Sequence, residues 1–159
     1  MPDRVTDQPS VTPAGLMLGI GLGGFLDGIL LHQILQVHAM LSAKVPLDTM
    51  ANMKTNMTAD GLFHAGMWLA TLAGVILLFR AGRTPGARWS GRVLAGSMLA
   101  GWGVFNVVEG VIDHHLLHLH HVVERLGLSA WDWLFLGASV GLIAGGWALA
   151  RSRGSDRSS

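Results

Sequence analysis

Apolar residues along this chain fall into four long runs, at about 14–38, 61–80, 93–117 and 131–150. Each approaches the ~20 residues that an α-helix needs to cross the hydrocarbon core of a bilayer. Short polar segments separate them, and none is long enough for a separate soluble domain. The pattern predicts an all-α protein, an integral membrane four-helix bundle over residues 13–150. Polar tails at 1–12 and 151–159 are expected to be disordered, since they offer nothing to bury. The first run is too long for a signal peptide and is interrupted by Asp27, so it is expected to remain as a span.

Within the runs, polar positions cluster at one end of every helix. Asp27, His32 and His38 lie in the second half of the first. Asp60 and His64 open the second. Glu109, Asp113, His114 and His115 lie late in the third, with His118, His120 and His121 just beyond. Asp132 opens the fourth. A chain that runs out and back twice brings all of these to the same end. The opposite halves are almost purely Gly, Ala, Leu, Val and Ile.

Charge adds an orientation. Arg80, Arg83, Arg88 and Arg92 flank the second loop, and Arg151, Arg153 and Arg157 follow the last run. The other two loops hold only Lys44, Lys54 and Arg125. Basic residues in short loops mark the cytoplasmic side. Both termini are therefore expected in the cytoplasm, with the polar ends of the helices in the outer leaflet. Composition agrees with a lipid environment: half of the residues are hydrophobic and 13% are charged. No feature points to nucleic acid. The bilayer and a metal ion are the expected partners, with a second copy or a respiratory-complex assembly partner as further possibilities.

The first and third runs also resemble each other. "FLDGILLHQILQVH" from Phe25 aligns with "VVEGVIDHHLLHLH" from Val107, pairing Asp27 with Glu109, His32 with His114 and His38 with His120 at an offset of 82. "DGLF" at Asp60 aligns with "DWLF" at Asp132 at an offset of 72. The chain reads as two helical hairpins in tandem. In both copies a carboxylate precedes a histidine by five residues, with glycine next to the carboxylate. On a regular helix that spacing turns the pair apart; a π-bulge would bring it together. The copies differ where Leu31 becomes Asp113 and Gln33 becomes His115, so an asymmetric site is expected.

Each ionisable group inside a span costs about 2.5–3.5 kcal/mol near the bilayer centre. A few polar contacts serve as glue between membrane helices; this many on one level call for another reason. Histidines and carboxylates converging from several helices are the ligand set of transition-metal sites, and a cation cancels the buried negative charge. The candidate ligands are Asp27, His32, His64, Glu109, Asp113, His114 and His115. His38, Asp60, His120, His121 and Asp132 are assigned to outer support or access. Without cysteine, copper and zinc suit the donors best, and iron is possible. Met50, Met53 and Met57 could hold Cu(I), but methionines in an apolar chain are more often packing or membrane contacts. Haem between His32 and His114 is the lesser cofactor alternative.

The stretches "GGFLDGILLHQILQVHAM", "ADGLFHA" and "GWGVFNVVEGVIDHHLLHLHHV" resemble a bacterial family of predicted membrane proteins, the domain of unknown function DUF2243. The likeness spans nearly everything between the tails and implies four membrane helices in a bacterial protein, so that the expected location is the inner membrane with the polar ends of the helices facing the periplasm. Asp27, His32, His38, Asp60, His64, Glu109, Asp113, His114, His115, His120 and His121 match its motif positions. Val37 and Ala39 depart from the family's Trp and His, and His118 stands where it has Gly. The resemblance brings no activity with it. Three readings are open: a metalloprotein with redox or hydrolytic chemistry (a membrane metalloenzyme), a copper-handling assembly factor for respiratory enzymes, and a haem-binding or proton-relay protein.

Overall fold

The computed structural model of the protein describes residues 11–84 and 90–152. The polar tails outside that range, and Arg88 and Trp89 of the second loop, lie outside the described residues. Four helices account for most of the remainder: α1 (Thr12–Asp27), α2 (Met50–Gly82), α3 (Gly91–Glu109) and α4 (Ala130–Arg151). With the turns that extend α1 and α3, all four are long and apolar enough to cross a membrane. The two connections at 35–49 and 117–129 lie at one end, opposite the end where α2 stops at Gly82 and α3 begins at Gly91.

Side chains set the starts of three helices. Thr49 accepts from the Asn52 N–H, and Ser90 from Val93. Ser129 and Asp132 form a reciprocal capping box at α4, which satisfies backbone donors that would otherwise lack partners. Helix α2 was expected from about residue 61 and begins at Met50. The Thr49 cap starts it early, and buried Asn56 then ties its first turns to the loop. Asn56 accepts from the Leu41 N–H at 3.0 Å and donates to the Val45 carbonyl at 2.8 Å.

Helices α1 and α3 form the centre of the fold, with α2 packed on α1 and α4 on α3. The central pair is held by close backbone approach. A Cβ on Gly19 would strike the Met98 backbone, and one on Gly101 would strike the Leu16 backbone. Small residues are what allow membrane helices to come this near. Few large apolar side chains are buried, whereas Leu22, Leu69, Phe79 and Leu134 face outward, as lipid-facing residues do.

Both central helices change pitch at the same place. A π-helical turn, Gly28–Ile34, continues α1, and another, Gly110–Leu116, continues α3. Two residues beyond the end of each stands a residue in the left-handed region, Gln36 (φ 51°) and His118 (φ 48°). The expected continuation of helix one to residue 38 therefore stops short at Ile34, whereas helix three reaches Leu116, close to the expected 117. The left-handed residues turn the chain back over the helix ends, directing His38 and His120 inward. Ala43 N–H joins the two connections through the Leu119 carbonyl at 2.9 Å.

Candidate metal centre

The π turns settle the five-residue spacing. His32 Nε2 lies 3.3 Å from Asp27 Oδ2, and His114 Nε2 lies 3.3 Å from Glu109 Oε1. Widening each helix by one residue puts the carboxylate and the histidine on one face. Glycine after the carboxylate makes room for the neighbouring helix: Gly28 abuts His64 and Phe63 of α2, and Gly110 abuts Leu136 and Phe135 of α4.

Four imidazoles then gather between the two carboxylates. Ring centroids lie 4.5 Å apart for His32 and His38, 4.7 Å for His38 and His120, and 4.8 Å for His114 and His120. His38 and His120 arrive from the connections, His32 and His114 from the π turns. All six residues are buried, with His120 and His114 at 0% and 1% exposure.

The outer nitrogens define how the rings are held. His38 Nδ1 donates to the Val122 carbonyl at 3.2 Å, and His120 Nδ1 donates to the Met40 carbonyl at 3.1 Å. Carbonyls only accept, so both rings carry hydrogen on Nδ1, which leaves Nε2 for the interior when the ring is neutral. His32 Nδ1 donates to Asp60 Oδ1 at 2.9 Å. His114 Nδ1 stands 3.2 Å from Asp132 Oδ1, within ion-pair range but without hydrogen-bond alignment. Asp60 and Asp132 are fixed in turn by the Met40 and Val122 N–H groups.

Inside, the inventory is unbalanced. The Nε2 atoms of His32, His38 and His114 and Oε2 of Glu109 are buried and have no hydrogen-bond partner. Glu109 Oε1 faces His120 Nε2 at 2.9 Å as well as His114. Burial, reinforced by the charges of His120 and His32, pushes the His38 pKa down to about 3, so its ring is neutral. Burial also opposes charging His120, but the Glu109 carboxylate outweighs it and raises that pKa. Buried polar atoms left without partners are costly, and one cation among them would satisfy them together. Two groups, His32–His38–His120 and Glu109–His114–His120, present ligand atoms within 4.8 Å of one another and could hold a metal ion.

The structure thus brings together Asp27, His32, Glu109 and His114 from the expected ligand set. It adds His38 and His120, which the sequence assigned to the outside, and puts Asp60 and Asp132 behind the rings. His64 packs against Phe25 and Phe63 at 5.9 and 5.6 Å. His115 donates from Nδ1 to the Gly110 carbonyl at 2.8 Å and lies against Trp133. Asp113 lines a cavity on the apolar flank of α3. His121 Nδ1 lies 3.6 Å from Asp132, and His118 is beside His121. Sequence reasoning passed over Glu124, whose Oε2 accepts from the Ser42 hydroxyl and the His121 N–H and so clips the two connections together. The backbone carbonyls of Met40 and Val122 left no signal in the side-chain pattern.

A buried set of imidazoles and carboxylates in four apolar helices defines a polytopic membrane protein able to hold a metal ion. The chain belongs to the family described as "Predicted membrane protein (DUF2243)", whose model matches residues 14–153. No curated protein and no solved structure matches it.

Proposed function

We propose that the protein is a membrane metalloprotein whose centre is ligated by His32, His38, His114 and His120 with Asp27 and Glu109. One observation carries this reading. Four rings turn Nε2 toward a common interior while each outer nitrogen faces a carboxylate or a carbonyl. Partners of this kind fix the tautomer and orientation of metal-bound histidine. Two carboxylates also match the charge of one divalent cation, which limits the cost of burying both. Nitrogen and oxygen donors without sulfur suit copper(II) or zinc, then iron.

Chemistry at the centre ranks ahead of metal delivery. Delivery calls for exposed, exchangeable ligands, and these donors are all less than a tenth exposed. Haem fits poorly: the His120 ring, 5.6 Å from His32 and 4.8 Å from His114, occupies the space a macrocycle between them would need. A transmembrane proton relay lacks ionisable groups in the other halves of the helices. The arginine distribution supports an outer-leaflet position for the site. Contacts that recur at offsets of 82 and 72, among them His38 with Val122 O and His120 with Met40 O, support a tandem repeat of two hairpins.

The test is elemental analysis of protein purified without a histidine tag. At least one transition-metal ion per chain is expected, and it should be lost in a His32→Ala, His114→Ala double variant. Metal-free wild-type protein that also fails to take up copper, zinc or iron would overturn the proposal.

A further inference from the structure

Two cavities flank the central helices, and they differ in chemistry. One, of about 510 Å³, has a wholly apolar lining that includes Leu22, Leu26, Met98 and Trp102. The other, of about 330 Å³, is walled by Ile20, Met67, Phe105 and Val108 but also reaches Glu109 and Asp113. The offset of 82 relates their walls, Ile20 corresponding to Trp102 and Val108 to Leu26; Asp113 corresponds to Leu31, which does not line the apolar cavity. A carboxylate thus stands on this flank where the other copy has leucine.

Glu109 joins this cavity to the imidazole cluster. Its Oε1 faces His114 and His120, while its Oε2 is buried without a hydrogen-bond partner. The residue is only 6% exposed. Among the described residues, the Asp113 carboxylate makes no hydrogen bond or ion pair either. Two carboxylates at the end of an apolar slot offer acceptors to a donor in the cavity. Ionisable groups kept within a membrane span mark function more often than structure.

We infer that this cavity binds a lipid-soluble aromatic molecule bearing a hydroxyl group, of the phenol or hydroquinone class, with its hydroxyl donating to Glu109 or Asp113. The volume lies at the low end of small-molecule sites and suits a single substituted ring. A neutral hydroxyl reaches the site from the bilayer without carrying charge through hydrocarbon, which an ammonium group cannot do. A hydroxyl–carboxylate bond is also among the stronger hydrogen bonds available in a dry site. The inference deepens the metal-centre reading by naming a substrate class for it, and rests on that reading for its purpose; the binding itself is measured separately.

The experiment titrates metal-loaded protein in lipid nanodiscs with tetramethylhydroquinone under anaerobic conditions, and with its dimethyl ether, which keeps the ring but has no donor. The hydroquinone should bind saturably and about 10-fold or more tightly than the ether. Asp113→Leu should bring the two closer together. Ile20→Trp and Val108→Trp, on different helices, should block both molecules without changing metal content. Equal binding of hydroquinone and ether would assign the cavity to lipid chains and overturn the inference, as would binding that both Trp variants leave intact. Metal content is read on the same samples. Protein without metal that still binds the hydroquinone through Asp113 would remove the metal-centre proposal and keep the cavity; metal-loaded protein that does not bind it would do the reverse.

Discussion

Asp60→Asn isolates the contribution of an outer carboxylate to the centre. Asp60 Oδ1 accepts two hydrogen bonds, from His32 Nδ1 and from the Met40 N–H, each at 2.9 Å. Asparagine can keep its oxygen at that position, so both bonds survive and the negative charge alone is lost. The fold should be nearly unaffected. His32 becomes a weaker donor to the metal, because a neutral amide polarises the Nδ1–H less than a carboxylate does. Outer partners of this kind are worth about 10- to 100-fold in metal affinity, or roughly 1.4–2.7 kcal/mol. We expect the lower end, since the geometry is preserved. Asp132→Asn supplies the contrast. There both oxygens are engaged: Oδ1 by Val122 N–H and beside His114, Oδ2 by the Ser129 N–H and hydroxyl. One amide NH₂ must then face a donor, and the capping box of α4 is damaged, at a cost of about 1 kcal/mol. Chelator competition measures metal affinity, and thermal unfolding of the metal-free protein measures stability. Asp60→Asn should lower affinity with little change in stability, and Asp132→Asn should lower both. Wild-type affinity in Asp60→Asn would refute the outer-carboxylate argument, as would a stability loss equal to that of Asp132→Asn.

Three further outcomes follow from the same geometry. His120→Ala removes a donor common to both candidate metal groups, so it should cost more affinity than the ~10- to 100-fold of an outer partner; His115→Ala, whose ring lies against Trp133, should leave metal content unchanged by the same elemental analysis. Gly19→Ala and Gly101→Ala each push a Cβ into the opposing backbone, and unfolding in detergent should show a loss of about 1–3 kcal/mol for either; Gly66→Ala, with open space around it, should show none. Cysteines at Ser90 and Leu128, treated with an impermeant thiol reagent in intact cells, should label at 128 and not at 90; the opposite pattern would put the metal centre on the cytoplasmic side.

Much of this protein is determined by the sequence itself. Four apolar runs can be nothing but spanning helices once their backbone polar groups must be satisfied in lipid. The positions of Asp27, Glu109, His32 and His114, five residues apart and next to glycine, already called for a π turn. The periodic matches at 82 and 72 already paired Asp60 with Asp132. The tertiary structure decided the membership of the site. A regular helix would have carried His38 and His120 away from the centre, so the sequence alone put them outside. Only the left-handed turns at Gln36 and His118, stabilised by bonds between the two connections, fold them back over the helix ends. His64 and Asp113 were equally suited by type and spacing. Whether a side chain points at its neighbours or at a cavity depends on how the helices are rotated, and that rotation is set by glycine contacts distant in the sequence. Residue type supplies the possible ligands; packing selects among them.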